Sequence, residues 1–279
     1  MKTGIYLFIF TLFFSFNAIY GQQKNYDAYL DQLPKNLKLD KSVKQTFQMT
    51  TDYMDYDLKG NFIRKTRVSG IYTCGLKNDQ VKWNDIYISR SNQLGGTFPP
   101  GIKRIDMENF SYIPNEKILE ASFFDQIPNA DFLIKNLIWD TFGFEGFASW
   151  YWDSLQLNVD YLATELNSSV DLAGQGTFEN KDFIFKWIGI TKMNNEICAI
   201  IKYSTMNNPL EIELDNFLMT GRSHYWGEVY VSLEDKQLEY ANLTEDVLTD
   251  IKIPSQPNNV LGYTVRHITF AKINKTEKR

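Results

Sequence analysis

The chain contains few of the side chains that build catalytic or metal centres. Among its 279 residues are two histidines, His224 and His267, and two cysteines, Cys74 and Cys198. The sequence has no G-x-S-x-G nucleophile signature, no H-E-x-x-H zinc signature, no phosphate-binding Walker loop and no calcium-loop spacing. Two cysteines this far apart also lack the close pairing of a zinc site. We therefore expect neither a metal ion nor a cofactor.

Long apolar runs are also missing, except for one at the start of the chain. Lys2 precedes an apolar stretch at residues 5–16. Residues 17–21 follow, with the small residues Ala18 and Gly21 that are typical of a signal-peptide cleavage region. The stretch is shorter than the roughly 20 residues of a membrane-spanning helix, and this order is typical of a secretory signal peptide. We predict a signal peptide over residues 1–21 and a single exported domain over residues 22–279, periplasmic or secreted, with no transmembrane segment after cleavage.

The two cysteines leave two alternatives open. In an oxidising compartment, a disulfide between Cys74 and Cys198 would close a loop of about 120 residues and contribute roughly 4–5 kcal/mol. Alternatively, both are buried thiols, because free cysteine is among the most buried residue types. Neither cysteine lies near the predicted cleavage site, so we expect no lipid anchor.

An excess of basic residues is absent too. The formal net charge is −5, with 29 basic and 34 acidic residues. Nucleic acids and anionic membrane surfaces both favour a basic face, so we expect neither as a partner. Aromatic residues make up 15% of the chain, which favours strands and large apolar surfaces.

Alternation of apolar and polar residues predicts a fold built mainly of strands. Phe47, Met49 and Tyr53 alternate with polar residues such as Gln48, which is typical of a half-buried antiparallel strand. The same pattern, interrupted by turn-forming stretches that include 207–209 and 221–222, predicts the remaining strands. The predicted strands are 43–53, 62–72, 81–89, 176–191, 196–205, 210–220, 225–233, 237–245 and 263–273, with short ones near 103–109 and 117–124.

The middle of the chain predicts helices. Asn129 is placed to cap a helix in which Phe132, Leu133, Leu137 and Ile138 recur on one side. A second helix is predicted near 148–157, and a short one at 25–37. Together these elements predict a mainly β (α+β) domain: a large curved antiparallel sheet or half-barrel of about ten strands, with one or two inserted helices as a lid.

The densest aromatic cluster, at residues 142–152, has three interpretations. Its side chains either seal the inserted helices onto the sheet, line a pocket for an acyl chain or another apolar ligand, or stack on sugar rings from an exposed position. The candidate ligand-binding residues at the mouth of such a pocket are Phe144, Phe147, Trp150, Trp152, Trp187 and Trp226.

The most enzyme-like string spans residues 221–228. On a strand, Arg222, His224, Trp226 and Glu228 project to one face. Of these, Arg222, His224 and Glu228 form a candidate polar site. His224 and Glu228 would then lie about 13 Å apart, too far for direct contact, so a carboxylate on the next strand, such as Glu239, is the candidate partner. The alternative is a set of cross-strand polar pairs on a solvated face.

Two resemblances follow from these residues. Residues 221–232, leading into 237–241, together with Gln22 and Gln23 after the predicted cleavage site, are similar to an uncharacterised family of exported β-rich proteins of Bacteroidota. The order of elements over most of the mature chain resembles the periplasmic lipoprotein-carrier half-barrels of the Lol type, whose curved sheet, covered by helices, holds acyl chains. This second resemblance concerns the order of elements and transfers no functional residue.

We therefore expect a non-catalytic exported binding or carrier protein for a lipid or another apolar small molecule. Two alternatives stay open. A surface-interaction or carbohydrate-binding module would place the aromatic residues on an exposed, flat sheet face. A hydrolase would hold His224 and a nearby carboxylate within hydrogen-bond reach in a polar groove.

Overall fold

The computed structural model describes residues 29–214 and 217–273, so the predicted signal peptide lies outside the described residues. The described chain is built mainly of strands. They are β1 Gln45–Tyr56, β2 Phe62–Cys74, β3 Val81–Ser91, β4 Ile102–Lys103, β5 Ser111–Tyr112, β6 Tyr161–Leu162, β7 Ser168–Asp171, β8 Gly176–Asn180, β9 Ile184–Met193, β10 Glu196–Leu214, β11 Phe217–Ser232, β12 Leu238–Lys252 and β13 Val260–Lys272.

These strands form one large antiparallel sheet, which confirms the predicted fold class. The strand order is β4-β3-β2-β1-β13-β12-β11-β10-β8-β7, with β5 on β3, β9 on β10 and β6 on β9. Within the described residues the end strands β4 and β7 do not pair with each other, so the sheet is open. In the middle of the sheet β1 pairs with β13, so the first and last long strands are neighbours.

Two predicted turns are wrong, because long strands continue through them. β10 passes residues 207–209 as a bulge, and β11 continues without interruption through 221–222. Asn207 takes a positive φ of 66° at the bulge. The buried Asn208 side chain accepts from the Lys181 N–H and donates to the Ser223 carbonyl. Those bonds satisfy backbone groups that a bulge leaves without ladder partners.

Four further predictions between residues 103 and 191 are wrong. The segments 103–109 and 117–124 form short 3₁₀ turns and the one-turn helix α1, Ala121–Phe124, instead of strands. No helix spans 148–157, where Tyr151 adopts a left-handed φ of 58° and the turn Trp152–Ser154 follows. The predicted strand 176–191 is divided into β8 and β9. Of the predicted helix 25–37, a helical turn at 29–31 is described, and 25–28 lie outside the described residues.

The predicted central helix is present as α2, Phe132–Phe147. Its cap is Asp131, whose side chain accepts from the Ile134 N–H, and the predicted cap Asn129 instead has a positive φ of 53°. The helix is apolar around most of its circumference, which is typical of a helix enclosed on several sides. On its far side, Trp139 donates to the Ile118 carbonyl in the segment before α1.

The sheet curls around α2. Lys135 donates to Gln175 in the β7–β8 turn, and the next residue, Asn136, donates to the Tyr53 hydroxyl on β1. Four strands separate β1 from β8 in the sheet, which in a flat sheet would place them about 24 Å apart. We call the face that packs on α2 the core-side face and the opposite face the outer face.

Candidate functional site

Four of the six predicted ligand-binding side chains lie in the hydrophobic core, which corrects their predicted place at a pocket mouth. Phe144, Phe147, Trp152 and Trp187 are all buried. Phe144 stacks on Phe270 of the sheet at a centroid distance of 5.8 Å. Phe144 and Phe147 are buried because α2 packs them against the core-side face, whereas Trp152 is in the turn that follows the helix and Trp187 is on β9. Large aromatic side chains bury the most area in such a core.

The other two predicted residues lie at the margins of the core. Trp150 follows α2 and is 36% exposed, with its ring 5.8 Å from that of Phe147. Trp226 lies on the outer face of β11, opposite Ser204 on β10 and Thr244 on β12, and is half-buried. The structure therefore does not bring the six aromatic residues together around one opening.

The cavity beside this core is small. Its lining includes Phe47, Cys74, Glu145 and Phe270, and its volume is about 30 Å³. That volume holds roughly one water molecule, whereas a pocket for a small-molecule ligand measures about 300–1,000 Å³. On the core-side face, the protein's own aromatic side chains occupy the position at which the sequence predicted an acyl chain.

Both cysteines are free thiols. Cys74 lies on β2 and Cys198 on β10, and four strands separate them in the sheet. Burial raises the pKa of each thiol to about 12, so neither forms the reactive thiolate near neutral pH. Of the two alternatives for the cysteines, the structure therefore has free thiols, with Cys198 buried and Cys74 half-buried.

A buried ionic cluster joins α2 to the sheet. Arg266 on β13 donates to Asp140 on α2 at 2.5 Å and also to Glu245 on β12, which accepts from the Ser223 hydroxyl at 2.5 Å. Burial raises the pKa of Asp140 to about 6, although the Arg266 charge acts in the opposite direction. The cluster is enclosed between helix and sheet, so it holds the fold together and offers no surface to a ligand.

The candidate polar site is an open row on the outer face of β11. His224 lies opposite Asp246, and the Asp246 carboxylate accepts from the Tyr263 hydroxyl. The prediction that Glu239 pairs with His224 or Glu228 is wrong, because the Glu239 carboxylate is buried and accepts from Lys272 and Asn194. In the described part of the chain, no hydrogen bond joins His224 to a carboxylate.

Glu228, the third member of the predicted site, accepts from the Tyr230 hydroxyl at 2.8 Å. Within residues 29–214 and 217–273, no cluster of three or more His, Cys, Asp or Glu side chains is arranged to hold a metal ion. On β11 these side chains have polar cross-strand neighbours, Asp246 opposite His224 and Asn242 opposite Glu228.

A larger concavity lies at the far end of the outer face, and we call it the outer groove. Its volume is about 450 Å³, within the range of ligand sites. Its apolar rim includes Leu58, Leu248 and Leu261, which are 55%, 47% and 47% exposed. The groove is lined by Leu58, Pro209, Thr220, Gly221, Arg222, Leu248, Thr249, Asp250, Leu261 and Gly262.

The strand register extends the outer groove into an aromatic row. Arg222 on β11 lies opposite Leu248 on β12, which lies opposite Tyr263 on β13, then Tyr56 on β1 and Phe62 on β2. Residues directly opposite in an antiparallel pair share one face. Tyr56 lies 6.0 Å from Tyr263 and 5.9 Å from Phe62 between ring centroids. The row therefore carries one cation followed by four apolar or aromatic side chains.

Two charged side chains line the outer groove. Arg222 donates to the Asn207 side-chain oxygen. Asp250 has one carboxylate oxygen, Oδ1, that is shielded from solvent and has no hydrogen-bond partner. In the described part of the chain, no ion pair joins Arg222 to Asp250. The groove thus combines exposed apolar side chains with a cation and an incompletely satisfied carboxylate.

Sequence reasoning identified Arg222 but missed the rest of the outer groove. The predicted strand 237–245 ended before Leu248 and Asp250, and the predicted strand 263–273 began after Leu261. The strand in fact continues to Lys252, and Val247 and Ile251 alternate with Leu248 and Asp250 along it. Extending the period-two pattern through 246–252 was the signal that could have found these residues.

Comparison with known proteins gives little further information. No protein-family model matches the chain, and no curated protein matches it. Among solved structures, a DUF1329 family protein from Desulfovibrio piger is 9% identical, with 85% of this chain and 88% of that chain covered and a TM-score of 0.15. A structure of botulinum neurotoxin type C, described for its interaction with two ganglioside molecules, is 8% identical, with 84% and 83% covered and a TM-score of 0.10.

At these TM-scores the two likenesses support no conclusion about fold or function. None of the described helices is both long and apolar enough to cross a bilayer.

Proposed function

We propose that the chain is a non-catalytic binding or carrier protein for a lipid or another apolar ligand, and that the ligand occupies the outer groove. The observation that carries this proposal is the groove of about 450 Å³ with three highly exposed leucines, Leu58, Leu248 and Leu261. Contiguous exposed apolar surface on a folded domain marks a site that something else covers.

The contrast between the two faces supports the same proposal. The core-side face is packed by α2 beside a cavity of about 30 Å³, which is too small for an acyl chain. The outer groove is open and continues into the row of Tyr263, Tyr56 and Phe62. An apolar chain lying along that row would remove these half-buried side chains from water, at about 25 cal/mol per Å² of apolar area.

Replacing Leu248 and Leu261 together with glutamine tests the location. We expect affinity for a fluorescent lysophospholipid to fall by about tenfold or more, because burying each leucine contributes about 1.5–3 kcal/mol. Both side chains are exposed, so the free energy of unfolding should change by less than about 0.5 kcal/mol per site. The readout is the dissociation constant from a fluorescence titration.

The matched control is Ile105→Gln, which alters a side chain that is 79% exposed and outside the groove. Its affinity should equal that of the wild-type protein. Wild-type affinity in the double variant would place the ligand elsewhere and contradict the proposed site.

A second candidate is a surface-interaction or carbohydrate-binding module. The observation that favours it is the half-buried position of Tyr56, Phe62, Tyr263 and Trp226 on the outer face, since aromatic faces stack on sugar rings. An oligosaccharide that binds the wild-type protein, together with no binding of lysophospholipid, would favour this candidate over the carrier.

The proposal includes export to the periplasm or the exterior. Cleavage after Gly21 would give a mature protein that begins at Gln22. We expect intact-mass analysis of protein recovered from the periplasm or medium of an expressing bacterium to show loss of residues 1–21. Retention of those residues in soluble cytoplasmic protein would contradict this part of the proposal.

A further inference from the structure

The two charges of the outer groove are placed to be bridged by a ligand. Arg222 lies opposite Leu248, so Asp250, two residues further along β12, is its diagonal neighbour on the same face. Such neighbours lie roughly 7–8 Å apart, and no ion pair joins these two within the described residues. A group that contacts both must therefore carry two charges a few bonds apart.

The chemistry of each side chain determines the sign of its partner. One guanidinium nitrogen of Arg222 donates to the side-chain oxygen of the neutral Asn207 amide. A guanidinium binds phosphate through paired N–H donors. Asp250 lines the groove, and within the described residues no ion pair neutralises its carboxylate. A carboxylate only accepts hydrogen bonds, and a cationic N–H donor forms a stronger bond with it than a neutral hydroxyl does. A phosphate linked to a primary ammonium satisfies both side chains together.

The apolar row gives the ligand its direction. From Arg222 the row passes Leu248, Tyr263 and Tyr56 to Phe62, across four strand spacings. At about 4.8 Å per spacing this is about 19 Å. One leaflet of acyl chains fills about half of the roughly 30 Å hydrocarbon core of a bilayer, so the row is long enough for one extended chain.

We propose that the outer groove recognises a zwitterionic phospholipid with a primary ammonium, of the phosphoethanolamine class. The phosphate contacts Arg222, the ammonium donates to Asp250, and one acyl chain lies along the aromatic row. This inference rests on the proposed function, since it specifies the lipid of the same site. The acidic net charge of −5 agrees with recognition of a zwitterionic headgroup in place of attraction to an anionic surface.

The test compares three lysophospholipids that share one acyl chain and carry phosphoethanolamine, phosphocholine or phosphoglycerol headgroups. The choline nitrogen has no N–H to donate to Asp250, and phosphoglycerol has no cation. We expect the wild-type protein to bind the ethanolamine lipid about tenfold or more tightly than the other two. Calorimetric titration below the critical micelle concentration provides the dissociation constants.

Two variants assign the contacts. Asp250→Asn should reduce the preference for ethanolamine over choline to about twofold or less, whereas Arg222→Gln should weaken binding of all three lipids about tenfold. Glu211→Gln changes an exposed carboxylate on the neighbouring strand outside the groove and should leave the preference unchanged. Circular dichroism and thermal melting verify that each variant is folded.

The possible failures are distinguishable. Equal affinity of the wild-type protein for all three lipids, lost in the Leu248→Gln, Leu261→Gln double variant, would overturn the headgroup inference and leave the proposed function standing. Binding of none of the three would overturn both. A preference for ethanolamine that survives Asp250→Asn would overturn the assignment of the ammonium to that carboxylate.

Discussion

Replacing Arg266 with alanine is expected to destabilise the protein by about 3–5 kcal/mol, because it leaves two buried carboxylates without their cation. Arg266 is bound by Asp140 at 2.5 Å and by Glu245, and all three side chains are nearly enclosed. The substitution also cuts the polar link between α2 and the sheet. Chemical denaturation monitored by circular dichroism measures the change in the free energy of unfolding.

Arg67→Ala is the matched control. Arg67 pairs with Asp52 at 2.6 Å on the outer face, where both side chains remain partly exposed. Such exposed pairs contribute about 0–1 kcal/mol. Equal losses for the two arginines would contradict the assignment of Arg266 to a buried, fold-determining cluster.

The same cluster gives the protein a pH dependence. Burial raises the pKa of Asp140 from 3.8 to about 6, so the folded protein holds this proton more tightly than the unfolded chain does. The stabilisation from protonated Asp140 is therefore complete below pH 3.8 and is lost as the pH rises through about 6. Asp140→Asn should remove this component from the stability profile between pH 4 and 6.

Replacing Phe144 with alanine is expected to cost about 3–5 kcal/mol, the usual range for emptying the space of a buried aromatic side chain. Phe144 is fully buried and stacks on Phe270. If Phe144 instead lined the mouth of a ligand pocket, the substitution would change lipid affinity while leaving stability nearly intact. Denaturation and lysophospholipid titration of the same variant distinguish these two outcomes.

Ile105→Ala is the control for this substitution, because Ile105 is 79% exposed. It should change the free energy of unfolding by less than about 0.5 kcal/mol. The conservative variant Phe144→Leu should fold and bind lipid with wild-type affinity, since the outer groove lies on the opposite face of the sheet. A large loss of lipid affinity in folded Phe144→Leu would contradict that separation.

Local patterns in the sequence were sufficient for the fold class and for the central helix. The alternation of Phe47 and Met49 with Gln48 reports directly which side chains face the core. The recurrence of Leu137 and Ile138 at helical spacing placed α2, because its apolar residues must meet the sheet. Its cap was misplaced by two residues, since Asn129 and Asp131 are both suitable N-cap residues.

The long strands were not predictable from local patterns. Asn207, Asn208 and Pro209 are typical of a turn, but the Asn208 amide bonds to Lys181 and Ser223 and turns the interruption into a bulge. Those partners lie 27 and 15 residues away along the chain. Tertiary context thus overrode a correct local preference.

The outer groove could not be predicted from local sequence patterns, for a related reason. Its aromatic row depends on the pairing of β1 with β13, which sets Tyr56 beside Tyr263, although 207 residues separate them along the chain. The sequence drew attention to the aromatic residues at 142–152, whose density instead reflects the core. Density of aromatic residues does not distinguish a core from a site, because both bury large apolar area.

Photo-crosslinking tests the central claim, that an apolar ligand binds in the outer groove, most directly. A lysophospholipid with a photoreactive group in its acyl chain would be bound to wild-type protein, irradiated, and its attachment sites mapped by peptide mass spectrometry. We expect attachment within residues 246–263 and 56–62, and its loss in the Leu248→Gln, Leu261→Gln double variant. Attachment to α2, at residues 132–147, would contradict binding in the outer groove and return the ligand to the core-side face.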